Sequence, residues 1–171
     1  MNIDIPLTFQ VPPFYNESYV SKDDTLSSLK DICQAAPFYY DITMEKKPWE
    51  KKHVYVPLLL EWWKDEEPGL EYFYANRNPN AAKRKMIIMT AVFIDALFWM
   101  NERKVQGIKT VTKEVKSLEY KPVNCEERLE FILNGPIRYH TYVQLKALFM
   151  ELRKIYAKSK VIETNKSKLE N

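Results

Sequence analysis

The segment from Met86 to Met100 constrains the fold more than any other part of the chain. Its sequence, MIIMTAVFIDALFWM, has 15 residues with a single charge at Asp95 and neither Gly nor Pro. A membrane-spanning helix needs about 20 mostly apolar residues, and this segment is shorter and has charged residues on both sides. A helix that is apolar around its circumference is normally enclosed by other elements. The segment therefore predicts a buried helix at the centre of a globular protein.

The composition favours one globular domain and argues against several functions. Of the 171 residues, 46% are hydrophobic and only three are Gly, which disfavours a β-sandwich and a Gly-rich phosphate-binding loop. The 26 basic and 23 acidic residues leave a net charge of +3, which attracts polyanions only weakly. The N-terminus lacks the basic start and apolar core of a secretory signal. We therefore expect a cytoplasmic protein with no membrane partner.

The chain divides into three segments of different character, and the expected fold is all-α. Residues 1–20 contain three Pro and four aromatic rings, which predicts an extended arm whose rings lie against the domain. Residues 21–158 are expected to form a single helical domain, an irregular multi-helix bundle around a buried central helix at about 80–103. Residues 159–171 are mostly polar and contain no aromatic residue, which predicts a tail that frays.

Hydrophobic spacing predicts the other helices of the domain. They are expected at about 25–35, 57–66, 111–118, 124–134 and 136–158. Pro68 is expected to open a further short helix. Pro57 permits two interpretations, because a proline either kinks a helix or occupies its first position. Of the two, we favour a helix that begins at Pro57.

Two polar residues of the central helix are interpreted as structural. An unpaired buried amide costs about 1 to 3 kcal/mol, so Asn101 is predicted to bond a backbone group of a neighbouring loop. A buried carboxylate likewise needs a partner. If Asp95 is buried, Arg128 or Arg138 could form an ion pair with it.

Three sequence segments resemble a known family. They are FWMN at 98–101, KPVNCEERL at 121–129 and YHTYVQLKALFMELRK at 139–154. They are similar to the YpoC-like proteins of Bacillus and its relatives, and the similarity spans roughly Pro48 to Lys158. The resemblance implies a small helical cytoplasmic protein without accepted catalytic residues, so no residue role is transferred. Such genes often stand near replication-initiation and base-excision-repair genes, which implies a DNA-associated or partner-binding role.

The sequence contains no recognised pattern of an active site or a metal site. Cys33 and Cys125 are far apart and form no C-x-x-C pair, so we expect reduced, buried thiols. His53 and His140 are the only histidines, and we expect a structural or surface role for both. A Cys125–His140 nucleophile pair would require the fold to bring the two side chains together. We predict no catalysis, no cofactor and no metal.

Aromatic and basic residues indicate that the protein works by binding. Exposed large rings mark interfaces. The candidate interaction surface consists of Trp62, Trp63, Tyr72, Tyr74 and Trp99. We predict a non-catalytic binding or adaptor protein that contacts another protein or a second copy of itself. The alternative is a nucleic-acid-associated protein that binds phosphates through Lys83, Arg84 and Lys85.

Overall fold

Helices make up most of the regular structure. The computed structural model describes residues 1–171 and contains seven α-helices and one two-stranded sheet. The helices are α1 (Leu29–Ala35), α2 (Tyr39–Thr43), α3 (Lys52–Ala75), α4 (Pro79–Met100), α5 (Val111–Val115), α6 (Cys125–Asn134) and α7 (Tyr139–Glu170). None of them has both the length and the apolar character needed to cross a membrane. The predicted all-α fold is confirmed.

The central helix is α4, in which every residue from Met86 to Met100 is buried. Pro79 occupies its first turn, and the Asn78 side chain caps it by accepting from the Ala81 amide (3.3 Å). Only three residues separate α3 from α4, so the two helices form an antiparallel hairpin. Helix α7 packs against both. The three long helices thus enclose the apolar segment, as its composition predicts.

Helix α3 corrects the prediction for the two prolines. Pro57 and Pro68 both lie inside one helix of 24 residues, so neither of them begins a helix. Each proline removes one backbone hydrogen bond, but the burial of large apolar side chains outweighs that loss. The buried residues of α3 are Val56, Leu59, Leu60, Trp62, Trp63, Leu70 and Tyr74.

Helix α7 continues beyond the predicted end near Lys158 and stops at Glu170. The predicted end is wrong because the start of α3 supplies contacts for the additional turns. The carboxylate of Glu163 accepts a hydrogen bond from Lys52 Nζ at 2.6 Å. Residues 164–171 are all exposed, and fraying of this last part stays a prediction.

The two short helices near the N-terminus also differ from the prediction. Helix α1 begins at Leu29 rather than near Thr25, because Ser28 is its N-cap and accepts from the Asp31 amide (3.0 Å). The sequence does not predict α2, which has only five residues. This helix places the Asp41 side chain in the core beside α4.

The N-terminal arm folds back on itself instead of remaining extended. Strand β1 (Asn2–Asp4) pairs with strand β2 (Tyr19–Ser21) in an antiparallel register that sets Ile3 opposite Val20. Ile3 is buried, whereas its neighbours on β1 are exposed. The hairpin therefore turns one face toward the helices.

The segment between the two strands fixes the arm to the rest of the molecule. The rings of Phe9 and Phe14 pack against Phe38, with 5.6 and 5.0 Å between ring centroids. The Thr8 carbonyl accepts from the Ile108 amide at 2.7 Å. The arm thus bridges the segment before α2 and the loop after α4.

Candidate functional site

Most of the aromatic residues predicted to form an interaction surface are buried. Trp62, Trp63, Tyr74 and Trp99 are between 0% and 8% exposed, so the prediction that they form an exposed surface is wrong. Their rings belong to the hydrophobic core, where they bury a large apolar area. Tyr72 alone among the five is well exposed, at 65%.

Asp95 is buried, but its partner is not the one expected. Arg128 binds Glu151 through an ion pair of 2.9 Å, and Arg138 stacks on an aromatic ring of α6. The predicted ion pair with either arginine is therefore wrong. Instead, Asp95 lies beside a second buried carboxyl group, that of Asp41 in α2, whose charge raises the pKa of Asp95.

Two adjacent carboxyl groups in the core favour retention of one proton by the Asp41–Asp95 pair. Burial raises the pKa of both groups, and the charge of Asp41 raises that of Asp95 further. Asp41 Oδ1 accepts from Trp99 Nε1 (3.1 Å) and from the Val105 amide (2.7 Å). These two donors stabilise the charge on Asp41, so a retained proton is favoured on Asp95. The Lys104 ammonium reaches the Asp41 carbonyl (3.4 Å) and lies at the edge of the pair.

Asn101 makes the contacts that the sequence predicts. Its Nδ2 donates to the Tyr120 carbonyl (2.8 Å), and its Oδ1 accepts from the Tyr120 amide (2.8 Å). Asn101 Nδ2 also donates to the Leu97 carbonyl (2.8 Å) in the last turn of α4. The prediction is confirmed, and the side chain fixes the loop before α6 to the end of the central helix.

The basic cluster at the start of α4 is partly engaged within the chain. Lys85 forms an ion pair with Glu66 (3.0 Å), and Arg84 donates to the Gln34 carbonyl (2.8 Å). Lys83 is exposed and makes no such contact. The cluster thus offers less free charge to a phosphate than its sequence suggests.

The surroundings of His53 and Cys125 favour structural roles for both side chains. His53 links α3 to α7 through Tyr156 (2.9 Å) and Glu163 (3.0 Å). Burial raises the pKa of the Cys125 thiol to about 12, so the thiol is protonated at neutral pH. The thiolate that a Cys125–His140 pair would need is therefore disfavoured.

Helices α3 and α7 border an open groove that the sequence does not predict. The rings of Trp63 and Phe149 stack on its floor, with 4.4 Å between centroids and 5° between planes. Its volume is about 210 Å³. The side chain of Met150 is 53% exposed at its edge. The lining residues are Leu60, Trp63, Lys64, Glu67, Lys146, Phe149, Met150 and Arg153.

Charged side chains surround the apolar floor of the groove. Lys146 pairs with Glu67 (2.9 Å), and Arg153 pairs with Glu61 (3.4 Å). Burial opposes the ionisation of Glu67, but hydrogen bonds from Tyr142 and Lys146 outweigh it and lower the pKa of Glu67. The groove thus combines a rigid apolar floor with a rim that is already ionised at neutral pH.

Comparison with known proteins identifies the family. The model of the YpoC-like protein family matches residues 53–164. The chain belongs to the YpoC-like family. It is 33% identical over 135 residues to "Uncharacterized protein YpoC" of Bacillus subtilis (strain 168), and this alignment covers 77% of the chain and 82% of the relative. No solved structure matches the chain. The resemblance seen in the sequence is therefore confirmed.

The YpoC-like segment contains both walls of the groove. It begins at His53 and ends at Thr164, so it includes all of α4, nearly all of α3 and most of α7. The arm, α1 and α2 lie outside it, and Asp41 lies outside with them. The groove is therefore built within the YpoC-like segment, whereas the Asp41–Asp95 pair joins that segment to the preceding part of the chain.

Sequence reasoning did not find Asp41 or the groove. Asp41 directly follows the rings of Phe38, Tyr39 and Tyr40, and a carboxylate beside three large rings was a usable signal of burial. The groove depends on the pairing of α3 with α7, which are far apart in sequence. No local pattern of Trp63 or Phe149 could reveal that their rings stack.

Proposed function

We propose that the protein is a non-catalytic binding protein that contacts another protein through the groove between α3 and α7. The observation that supports this most directly is the exposed apolar surface at Met150, next to the Trp63–Phe149 stack. Apolar surface left open beside a fixed aromatic floor is typical of interfaces. The binding role is the one that the sequence predicts, and the groove takes the place of the exposed aromatic surface.

The size of the groove favours a side chain over a small molecule. Small-molecule sites usually enclose about 300 to 1,000 Å³, and the groove holds about 210 Å³. A cavity of about 150 Å³ accommodates one benzene molecule. One large apolar side chain of a partner would therefore fill the groove.

The groove has a rigid frame. Its walls are helices of 24 and 32 residues, and the two rings on the floor are each less than 10% exposed. A preformed site loses little conformational entropy on binding. This supports docking of a partner onto the groove without rearrangement of the helices.

Photo-crosslinking tests the proposal. A photoreactive phenylalanine analogue replaces Met150 at the groove, and the same analogue replaces Met44, which is 43% exposed and lies near Lys104, in a control. In extract of the source organism, we expect discrete protein adducts from position 150 that are absent from position 44. The same adducts from both positions, or none from position 150, would contradict the proposal.

Nucleic-acid binding remains the alternative. It rests on Lys83, Arg84 and Lys85, of which two are already engaged by Gln34 and Glu66. Salt-sensitive binding of a DNA oligonucleotide that is lost on charge reversal at Lys83, Arg84 and Lys85 would favour this alternative. An adduct of two copies of the chain would make self-association the protein contact.

A further inference from the structure

We propose that the groove and the adjoining face of α7 bind an acidic amphipathic segment of another protein. This inference rests on the proposed function and names the chemistry of the partner. One apolar side chain of the segment occupies the groove, and its carboxylates face a basic stripe on α7. The stripe is defined by Lys146, Arg153, Lys154, Lys158 and Lys160.

The charge of this part of α7 is of one sign. Four Lys or Arg and no acidic residue lie between Glu151 and Glu163. Lys154, Lys158 and Lys160 are exposed and form no ion pair within the chain. Their charges are therefore available to a partner, unlike most of the basic cluster at the start of α4.

The stripe and the groove form one continuous surface. Lys146 and Arg153 belong to both, since they line the groove and are part of the stripe. Residues at a spacing of three or four lie on the same side of a helix. Such a row is formed by Met150, Lys154, Lys158 and Val161. At about 1.5 Å per residue the row is about 16 Å long, which about three turns of a partner helix would span.

Apolar side chains within the row favour a protein over a nucleic acid. Met150 is 53% and Val161 is 60% exposed, and neither offers a hydrogen bond to a phosphate. Trp63 and Phe149 are 8% and 1% exposed, so no ring of the groove is free to stack on a base as single-strand binding requires. Two cationic positions between two apolar positions complement a helix that carries both apolar and acidic residues.

The same residues disfavour a membrane surface. The main apolar face of α7 is buried in the core. An interfacial helix instead inserts a full apolar face into the lipid. Met150 and Val161 are too few for that contact, whereas they suffice to seat the side chains of one partner helix.

Methionine-methyl NMR on the full chain tests this inference. The probe is a synthetic peptide with Leu at helical spacing and Glu elsewhere, and the control peptide has Gln in place of each Glu. We expect the Glu peptide to shift the Met150 methyl signal and leave that of Met44 unchanged. The Gln peptide should bind about tenfold more weakly, and added salt should weaken only the Glu peptide.

Matched charge reversals locate the binding surface. Lys154→Glu with Lys158→Glu should weaken the Glu peptide by about tenfold or more. The control is Lys113→Glu with Lys116→Glu, in α5 and directly after it, which makes the same change in net charge on exposed side chains elsewhere. This control should bind as the original chain does.

The outcomes separate the two proposals. Equal binding of both peptides, or binding that survives reversal at Lys154 and Lys158, overturns the acidic partner but leaves binding in the groove intact. Tighter binding of a DNA oligonucleotide or of phosphatidylserine vesicles to the same stripe also overturns it. Failure of every peptide to shift Met150 overturns it as well, while the crosslinking at Met150 decides the proposed function on its own.

Discussion

Asp41 and Asp95 place two carboxyl groups side by side in the core, with no arginine between them. Two adjacent buried carboxylates would repel each other, so one of them retains its proton. The hydrogen bonds from Trp99 and Val105 keep the single charge on Asp41. Asp41 therefore connects α2 to Trp99 of α4 and to Val105 in the loop that follows α4.

Asp95→Asn should stabilise the protein at neutral pH. The raised pKa of Asp95 means that the folded protein holds a proton that the unfolded chain releases near pH 4. The free energy of unfolding contributed by this group therefore falls as pH rises through the interval up to the raised pKa. Asn donates to Asp41 without titrating, so we expect a gain on the order of 1 to 2 kcal/mol at neutral pH. Urea unfolding at a series of pH values measures it.

The pH dependence of this gain in the free energy of unfolding tests whether Asp95 retains a proton. The advantage of Asp95→Asn should be smallest near pH 4 and grow toward neutral pH. Asp41→Asn is the matched variant, and it should bring a smaller gain than Asp95→Asn because it also weakens the hydrogen bonds that Trp99 and Val105 donate to the Asp41 charge. A gain from Asp95→Asn that is the same at every pH, or no gain, would contradict the retained proton.

Helix α3 forms although several of its residues have a low helix propensity. Pro57, Pro68 and Gly69 all disfavour a helix interior, yet the helix is continuous from Lys52 to Ala75. Its stability comes from packing of its buried side against α4 and α7. The exposed side therefore retains residues that are unfavourable in a helix, and their substitution can stabilise it.

Gly69→Ala should stabilise α3. A Cβ at this position meets no atom within 4 Å, and Ala in a helix interior is more favourable than Gly by about 0.5 to 1 kcal/mol. We expect an increase of this size in the free energy of unfolding, measured by urea denaturation.

Gly107→Ala provides the contrast for this measurement. A Cβ at Gly107 would lie 2.5 Å from Thr8 Cβ and 2.9 Å from the Thr8 carbonyl oxygen, so this variant should lose stability. Stabilisation by both variants would show that a general loss of chain entropy in the unfolded state, rather than the local space, decides the effect.

At the scale of the whole molecule, the arm joins parts of the chain that are distant in sequence. Phe9→Ala should lower the free energy of unfolding by about 3 kcal/mol, since a buried ring is replaced by a cavity. Phe9 is 2% exposed and packs against Phe38. The midpoint and slope of urea unfolding, followed by circular dichroism, measure the loss.

Leu7→Ala is the matched control for Phe9→Ala, because Leu7 belongs to the same arm and is 70% exposed. It should change stability by less than about 0.5 kcal/mol. No loss from Phe9→Ala would mean that the arm does not contribute to the cooperative unit, and an equal loss from Leu7→Ala would mean that burial of the Phe9 ring does not decide the effect.

The architecture was more predictable than the surface. The Met86–Met100 segment predicted a central helix because its composition leaves no polar face for solvent. The partner of Asn101 was predictable because a buried side-chain amide needs a hydrogen bond. The ends of α3 and α7 were mispredicted because contacts between distant helices, such as Lys52 with Glu163, decide them. The groove could not be predicted for the same reason, since it exists only where α3 and α7 meet.

The attachment of Thr8 to the Ile108 amide has a consequence for the order of events during synthesis. The arm is made well before the loop that receives it, so this hydrogen bond cannot form until α3 and α4 have been produced. Long-range contacts of this kind form late because the chain between them must first be ordered. During that interval Pro6, Pro12 and Pro13 interrupt the arm, and prolines hinder its pairing with other nascent chains.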